Sequence, residues 1–223
     1  PLPEQKKIVS ILTSIDEVLE KTQSQIDKLQ DLKKGIMNEL LTKGIGHTEF
    51  KDSELGRIPK SWSLKKLGDL SNIFFSNVDK KTEESETEVL LCNYMDVYSN
   101  RNINKRIEFM QATAKKREID KFKISKGDVL ITKDSETPAD IAIPSYVSEE
   151  LHNVLCGYHL ALIRPHRNNL SGRFLYYLFS FDKIQHRYYQ LANGTTRFGL
   201  TAKIITDTPL PIPPLIEHKE IAT

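Results

Sequence analysis

Apolar positions mark one stretch of the chain more strongly than any other. From Glu4 to about Leu41, the residues Ile8, Ile11, Ile15, Val18, Leu29, Leu32 and Ile36 occupy the a and d positions of one unbroken heptad frame. Leu12, Leu19, Ile26 and Leu40 widen the stripe at e, and only Thr22, Gln25 and Glu39 interrupt the seam. The pattern predicts a single helix of about 55 Å at 1.5 Å per residue. Pro1 and Pro3 stand at its start, Glu4 suits the positive end of its dipole, and Gly44 and Gly46 end it. An apolar edge of that length needs another long helix, and no second one is legible in the sequence. The stripe is therefore expected to pair with a helix from outside the chain, the alternative being a core helix packed on its own domain. Gly35, which costs about 1 kcal/mol against Ala inside a helix, marks a place for a close helix crossing.

Beyond the helix the periods shorten. A polar linker, His47 to Leu55, leads into Gly56-Arg57-Ile58-Pro59-Lys60-Ser61-Trp62, and Trp62 with Leu64, Leu67 and Leu70 is expected to anchor the first element of a globular domain. Residues 76 to 88 read as a surface loop, 88 to 98 as a strand, and 100 to 117 as a basic, loop-rich segment before a short helical turn around 118 to 122. Lys126-Gly127-Asp128 turns into a strand over 129 to 132. Ala139, Ile141 and Ile143 alternate like a second strand, and 154 to 164 read as a third. Ser171 is placed to cap an amphipathic helix running through Phe174, Tyr177, Leu178, Phe181, Ile184, Tyr188 and Leu191. Short mixed strands with one or two helices predict an α+β domain behind the long helix.

The two ends of the chain resemble each other. Pro214-Leu215-Ile216-Glu217-His218-Lys219-Glu220-Ile221-Ala222-Thr223 lies over Pro1-Leu2-Pro3-Glu4-Gln5-Lys6-Lys7-Ile8-Val9-Ser10 at a constant offset, with five of ten positions identical. Such self-similarity marks a repeated unit of one long helix plus one domain, with a second helix beginning near the C-terminus. The organisation expected is a spacer or dimerisation helix over residues 1–45, a domain over 46–208, and the start of a second helix over 209–223. The chain opens inside this motif without an initiator Met, which suggests a fragment or a processed form.

Composition adds bounds. At 39% apolar and 28% charged residues the chain has the make-up of an ordinary globular protein. Neither a membrane span nor a signal peptide is indicated, and Cys92 and Cys156, far apart and outside any CxxC spacing, fit reduced thiols in the cytoplasm. The net charge of +2 is uninformative, but its distribution is not. Residues 1–41 hold 6 basic and 7 acidic side chains, so the helix is no basic rod. Residues 101–126 hold nine basic against three acidic, 164–203 seven against one, and 128–151 one against six. Two basic blocks around an acidic one fit a domain with a positive face, the footprint of a DNA reader, and equally a merely solvated surface.

Catalytic tools are missing from the sequence: it shows no GxSxG elbow, phosphate loop, HExxH or paired cysteines at metal spacing. His152, His159 and His166 recur every seven residues, but strand alternation and a turn scatter them, and no metal site is expected. Asp140 with Glu217-His218-Lys219 matches a nuclease pattern only by force, because the latter belongs to the repeated helix start. Asp207-Thr208-Pro209-Leu210 does not satisfy the adenine methyltransferase motif. The inventory for DNA is better. Asn193, Thr195, Thr196 and Arg197 sit in a loop with Gly194, and Lys133, Ser135 and Thr137 form a second polar loop, both rich in groups that meet phosphates or base edges. Lys115, Lys116 and Arg117 are candidates for sequence-independent attraction, and Arg101 is a further DNA-binding candidate.

Taken together these stretches resemble the specificity subunit of type I restriction-modification systems. The matching segments are Pro1-Leu-Pro-Glu-Gln-Lys-Lys-Ile8, the helix ending in Leu40-Leu-Thr-Lys-Gly44, Gly56-Arg-Ile-Pro-Lys-Ser-Trp62 with Leu67-Gly-Asp-Leu70, Ser125-Lys-Gly-Asp-Val-Leu-Ile-Thr132, Gly194-Thr-Thr-Arg197 and Pro211-Ile-Pro-Pro-Leu-Ile-Glu217. The resemblance implies a target recognition domain that reads half of a split site on double-stranded DNA, and a spacer helix that packs antiparallel to a second one. It implies no catalysis in this chain. Modification subunits would methylate adenine with S-adenosylmethionine, and a restriction subunit would use ATP and Mg. With one recognition domain and one complete helix, the chain is either half of a longer subunit or a half-length form that pairs with itself. The alternative is a coiled-coil adaptor that binds protein and no DNA.

Overall fold

The computed structural model describes residues 1–222, so Thr223 of the repeated segment lies outside the described residues. Two compact units divide at Leu40, and the first is helical from Leu2 onward. Helix α1 (Leu2–Lys43) spans 42 residues, as the heptad frame predicts. Its seam residues Ile8, Ile11, Ile15, Val18, Leu29, Leu32 and Ile36 are all exposed, at 49% to 65%. Thr22, which interrupts the seam, turns its hydroxyl onto the Val18 carbonyl at 2.8 Å and so satisfies it within the helix. A side chain at Gly35 would meet nothing in this chain, so no close crossing is made there among the described residues.

The second unit begins at Leu41, which is buried. Gly44 and Gly46 take positive φ, 64° and 70°, and stop the helix as expected. Strands β1 (Phe50–Lys51) and β2 (Ile58–Pro59) pair antiparallel and lead to Trp62, which is 1% exposed. Then come β3 (Ser63–Lys66), the turn-length helix α2 (Leu67–Leu70) and β4 (Ser71–Phe75). The polar stretch from 76 carries the chain to β5 (Thr87–Cys92).

There the strand stops earlier than the apolar run suggests. Tyr94 and Val97, three apart, lie on helix α3 (Tyr94–Ser99), whose Asp96 carboxylate accepts the Asn93 N–H at 2.7 Å and fixes the first turn. The expected loop over 100–117 holds two strands, β6 (Asn102–Ile103) and β7 (Met110–Ala114), before α4 (Lys116–Phe122). Strand β8 (Val129–Thr132) follows its Gly127 turn as predicted and is buried throughout. The alternation at 139, 141 and 143 is not a strand. After β9 (Asp134–Ser135), Thr137 caps a 3-10 turn (Pro138–Asp140), Ala142 has φ 61°, and β10 (Pro144–Val147) starts only beyond.

The apolar run from 154 is two strands in different sheets, β11 (Val154–Cys156) and β12 (Leu160–Pro165). Gly157 makes the break, because its N–H donates to the Cys92 carbonyl at 2.8 Å and a side chain would collide with that carbonyl. The long C-terminal helix also divides, into α5 (Gly172–Phe179) and α6 (Asp182–Leu191). Ser171 caps the first as predicted, accepting from Phe174 N–H at 3.2 Å. The chain ends with β13 (Phe198–Gly199), α7 (Ala202–Thr206), β14 (Pro209–Ile212) and α8 (Leu215–Ile221).

A five-stranded sheet runs β4-β12-β8-β10-β6, antiparallel except for the β10–β6 edge, and a three-stranded sheet runs β11-β5-β7. Val89, Leu91, Phe122, Ile124, Leu155, Leu160 and Leu162 share one core, which makes the unit α+β as the sequence implies. Cys92 and Cys156 are register partners on parallel strands yet free, and burial pushes both thiols up.

The C-terminal repeat is built into this unit. Strand β14 pairs with β3, and α8 begins at Leu215 as α1 begins at Leu2, each directly after a proline. Glu217 accepts from Ile45 N–H at 3.0 Å and from Trp62 Nε1–H at 3.0 Å, and lies 2.8 Å from His47 Nε2. Gly44 has no room for a side chain beside these groups. His218, 1% exposed, accepts the Ser171 N–H at 3.1 Å through Nε2, and burial lowers its pKa.

Candidate nucleic-acid interface

Two loops that are 60 residues apart in sequence are closed onto each other by short backbone ladders. Register in the β12–β8 pair sets Leu160 opposite Thr132, so the next residue, Lys133, donates its N–H to the His159 carbonyl at 3.0 Å. Strand β9 then pairs with β13, Phe198 facing Ser135 and Gly199 facing Asp134. Asn193 and Gly199 exchange N–H donors at 3.1 and 2.9 Å, which pinches off residues 193–199 as a closed loop. Gly194 has φ 151°, and a side chain there would strike the Arg197 carbonyl, so only glycine completes the loop.

Side chains converge on Asp134. Its Oδ1 accepts from Arg197 Nε at 3.0 Å and from His159 Nδ1 at 2.6 Å, and Arg197 Nη2 stands 3.2 Å from His159 Nδ1. Lys133 Nζ lies 4.8 Å over the Tyr158 ring, which meets the His159 ring edge-on at 4.8 Å. On the other side of β9, Tyr94 OH donates to Ser135 Oγ at 3.3 Å and stacks on Tyr98, whose OH donates to Asp140 at 3.1 Å. Burial pushes the Tyr94 phenol up, and the hydrogen bond to Asp140 does the same for Tyr98, so both remain protonated donors at neutral pH. Tyr158 and Tyr98 are half exposed, as is Met95 on the same helix as Tyr98. Cationic, amide and hydroxyl donors among exposed aromatic faces are groups that meet phosphates, base edges and stacked bases.

Of the sequence-predicted residues, Lys133, Asn193 and Arg197 come together here, whereas Ser135, expected on the same polar loop, is buried at 7% exposure and spends its hydroxyl on Tyr94 OH and the Thr137 N–H beneath them. Thr195 and Thr196 are exposed in the same closed loop, and Thr137 caps the turn that follows Ser135. Lys115, Lys116 and Arg117 do not join them. They open α4 beyond Ala114, which pairs with Thr87, whereas Tyr94 follows the opposite end of β5, roughly 17 Å away at 3.3 Å per residue. Arg101 is exposed on the turn between α3 and β6, where its carbonyl accepts from Tyr146 N–H. Sequence reasoning missed Asp134, His159, Tyr94, Tyr98 and Tyr158. The turn residues flanking β8 and β12 were the available signal, since an antiparallel pair brings their ends together.

Charge counting by block also misjudges single residues. Arg164, in the second basic block, is bound by Asp128 through Nε at 2.9 Å and Nη2 at 2.7 Å, which raises the Arg164 pKa. Asp128 is buried and also accepts Ser125 N–H, so this pair belongs to the scaffold.

The model of one known family, the type I restriction modification DNA specificity domain, matches residues 59–223. The chain belongs to this family. Two related proteins of Methanocaldococcus jannaschii are a specificity subunit carried under the provisional name of type I restriction enzyme MjaX, 27% identical, and the type I restriction enzyme MjaVIII specificity subunit, 24% identical. Each match covers the whole chain but 49% and 52% of the relative, so the chain spans about half the length of the curated relatives it matches. The fold is that of the HsdS subunit from Thermoanaerobacter tengcongensis, with a TM-score of 0.57 at 18% identity over the whole chain and 49% of that structure. A chain from a structural study of complex assembly in the type I restriction-modification system matches likewise, with a TM-score of 0.53, 18% identity and 50% of its length covered. Among the described residues no helix is long and apolar enough to cross a membrane.

Proposed function

We propose that this chain is a non-catalytic DNA-specificity module of a type I restriction-modification complex in the cytoplasm. Residues 46–208 read one half of a bipartite site, residues 1–45 form the spacer and dimerisation helix, and 209–223 begin a second such helix. Double-stranded DNA meets the face around Lys133, Ser135, Thr137, Asn193, Thr195, Thr196 and Arg197, while Arg101, Lys115, Lys116 and Arg117 add general attraction to phosphates. The observation that carries this reading is the convergence of Lys133 and Arg197 with three tyrosines in a domain of the specificity family.

The module docks modification and restriction subunits, and S-adenosylmethionine, ATP and Mg are used by those subunits, with none held by this chain. The exposed seam of α1 supports pairing with an antiparallel helix, either of a second copy or of the other half of a longer subunit. A pair of identical chains implies a palindromic interrupted site, because a two-fold axis inverts the half-sites.

Methylation mapping of the assembled complex tests the reading. The wild-type chain is expected to direct methylation to one interrupted sequence, and Arg197→Ala or Thr196→Ala to lose or redirect it. A complex whose methylation pattern is the same with both variants places DNA elsewhere. A chain that joins no methyltransferase and shows no salt-dependent DNA retention is the coiled-coil adaptor instead.

A further inference from the structure

The carboxylate at the centre of the candidate face works against simple affinity. DNA presents one negative charge per about 1.7 Å of axis, so an acid within hydrogen-bond reach of the exposed arginine weakens attraction to any phosphate. Asp134 is nevertheless held there from both sides. Its backbone is fixed in β9 opposite Gly199, and its side chain, 19% exposed, lies below the more exposed Arg197 and His159, at 52% and 34%. Arg197 in turn immediately precedes β13, so its main chain runs into the strand that pairs with β9 while its guanidinium is bound to Asp134 on β9 itself.

We propose that Asp134 is a positioning residue for base readout, holding Arg197 and His159 as one oriented donor pair. This rests on the reading of the Arg197 face as DNA-binding. An unrestrained arginine in an exposed loop turns to the nearest phosphate and binds every sequence alike. With Nε–H donated to Asp134, the guanidinium plane is fixed, and its remaining N–H groups address acceptors on a base edge, such as guanine O6 and N7, from one direction. His159, donating through Nδ1–H to the same oxygen, flanks that plane and limits its rotation. The acid thus exchanges general affinity for discrimination.

Asp134→Asn keeps the shape of the side chain and removes its charge. The full chain, assembled with its modification subunit, is titrated with a duplex carrying the mapped site and with a scrambled duplex over a range of salt. Discrimination between the duplexes is expected to fall about tenfold or more. Scrambled-site binding should hold or strengthen, with the slope of log K against log salt steeper by about 0.9 as Arg197 gains a phosphate. Unchanged discrimination, or equal weakening on both duplexes, overturns the proposal. Arg197→Ala separates the two levels of inference. If it too leaves discrimination intact, the DNA face itself is misassigned, whereas loss with Arg197→Ala and none with Asp134→Asn removes only the role of Asp134. Should Asp134→Asn fail to fold, Arg197→Lys serves, since lysine keeps the charge without the planar group that Asp134 orients. It is expected to lose discrimination while keeping the salt slope, and full discrimination with lysine overturns the proposal.

Discussion

Pro1–Val9 and Pro214–Ala222 are two copies of one helix start in different surroundings. Glu217, 11% exposed, accepts from a tryptophan and a backbone N–H beside a histidine, whereas Glu4 is 69% exposed. Ala222 is 8% exposed and Val9, its counterpart, 61%. Helix propensity is nearly the same in both, so the difference lies in the domain surface that covers the second copy. The repeated residues therefore encode a fit to a domain as well as a helix start. The same carboxylate is structural in one place and solvated in the other.

Breaking the covered copy should have the largest effect. Trp62→Ala is expected to lower domain stability by about 3–5 kcal/mol, as removal of a buried aromatic does. Glu217→Ala should cost about 2–4 kcal/mol, because it strands the Trp62 and Ile45 donors. Glu4→Ala should change stability by less than about 0.5 kcal/mol. Urea titration of the three variants measures the contrast, and equal losses for Glu4 and Glu217 would erase it.

The seam of α1 extends the comparison to apolar residues that are exposed now. On the proposed pairing of α1 with a second copy, Ile11→Asp with Ile15→Asp should weaken self-association by more than about 100-fold, given about 1.5–3 kcal/mol for each buried isoleucine, with the melting of the domain unaltered. Sedimentation at several concentrations reads both states.

His218 sharpens the contrast through pH. Burial holds the folded-state pKa of its ring below the ordinary histidine value, so the unfolded chain takes up a proton that the folded chain refuses. Stability contributed by this group is therefore complete above about pH 6.5 and falls as pH drops toward the folded-state value, by at most about 1.4 kcal/mol per unit. His218→Gln installs the residue type of the exposed copy, Gln5, and should flatten this slope. An identical pH dependence in the variant would assign the slope to another group.

The smallest effect is expected on the surface. Lys115→Ala with Lys116→Ala should leave sequence preference unchanged and reduce the salt slope by about 0.9 for each lost phosphate contact. A change of preference would move these lysines into the reading face.

Elements with a strong private signal were legible. The α1 stripe, the Ser171 cap, the Gly127 turn and the Trp62 anchor each follow from spacing or from one residue's conformational needs. The runs over 88–98 and 154–164 misled, because a continuous apolar run does not show where a buried strand ends. Asn93–Asp96 and Gly157 decided that through contacts with distant carbonyls or local caps. Within the candidate site, the polar loops at 133–137 and 193–197 could be named, while His159 and Asp134 looked like a scattered histidine and part of an acidic block.

By itself the sequence determined the long amphipathic helix, the α+β character of the domain, the repeated helix start and the resemblance to a specificity subunit, since each rests on local periodicity or on matched segments. Only the tertiary structure decided that Glu217 closes on Trp62 and that Asp134 gathers Arg197 and His159. Those contacts join residues 155, 63 and 25 positions apart. Strand register and the positive φ of single glycines create such contacts, and neither leaves a periodic trace along the chain.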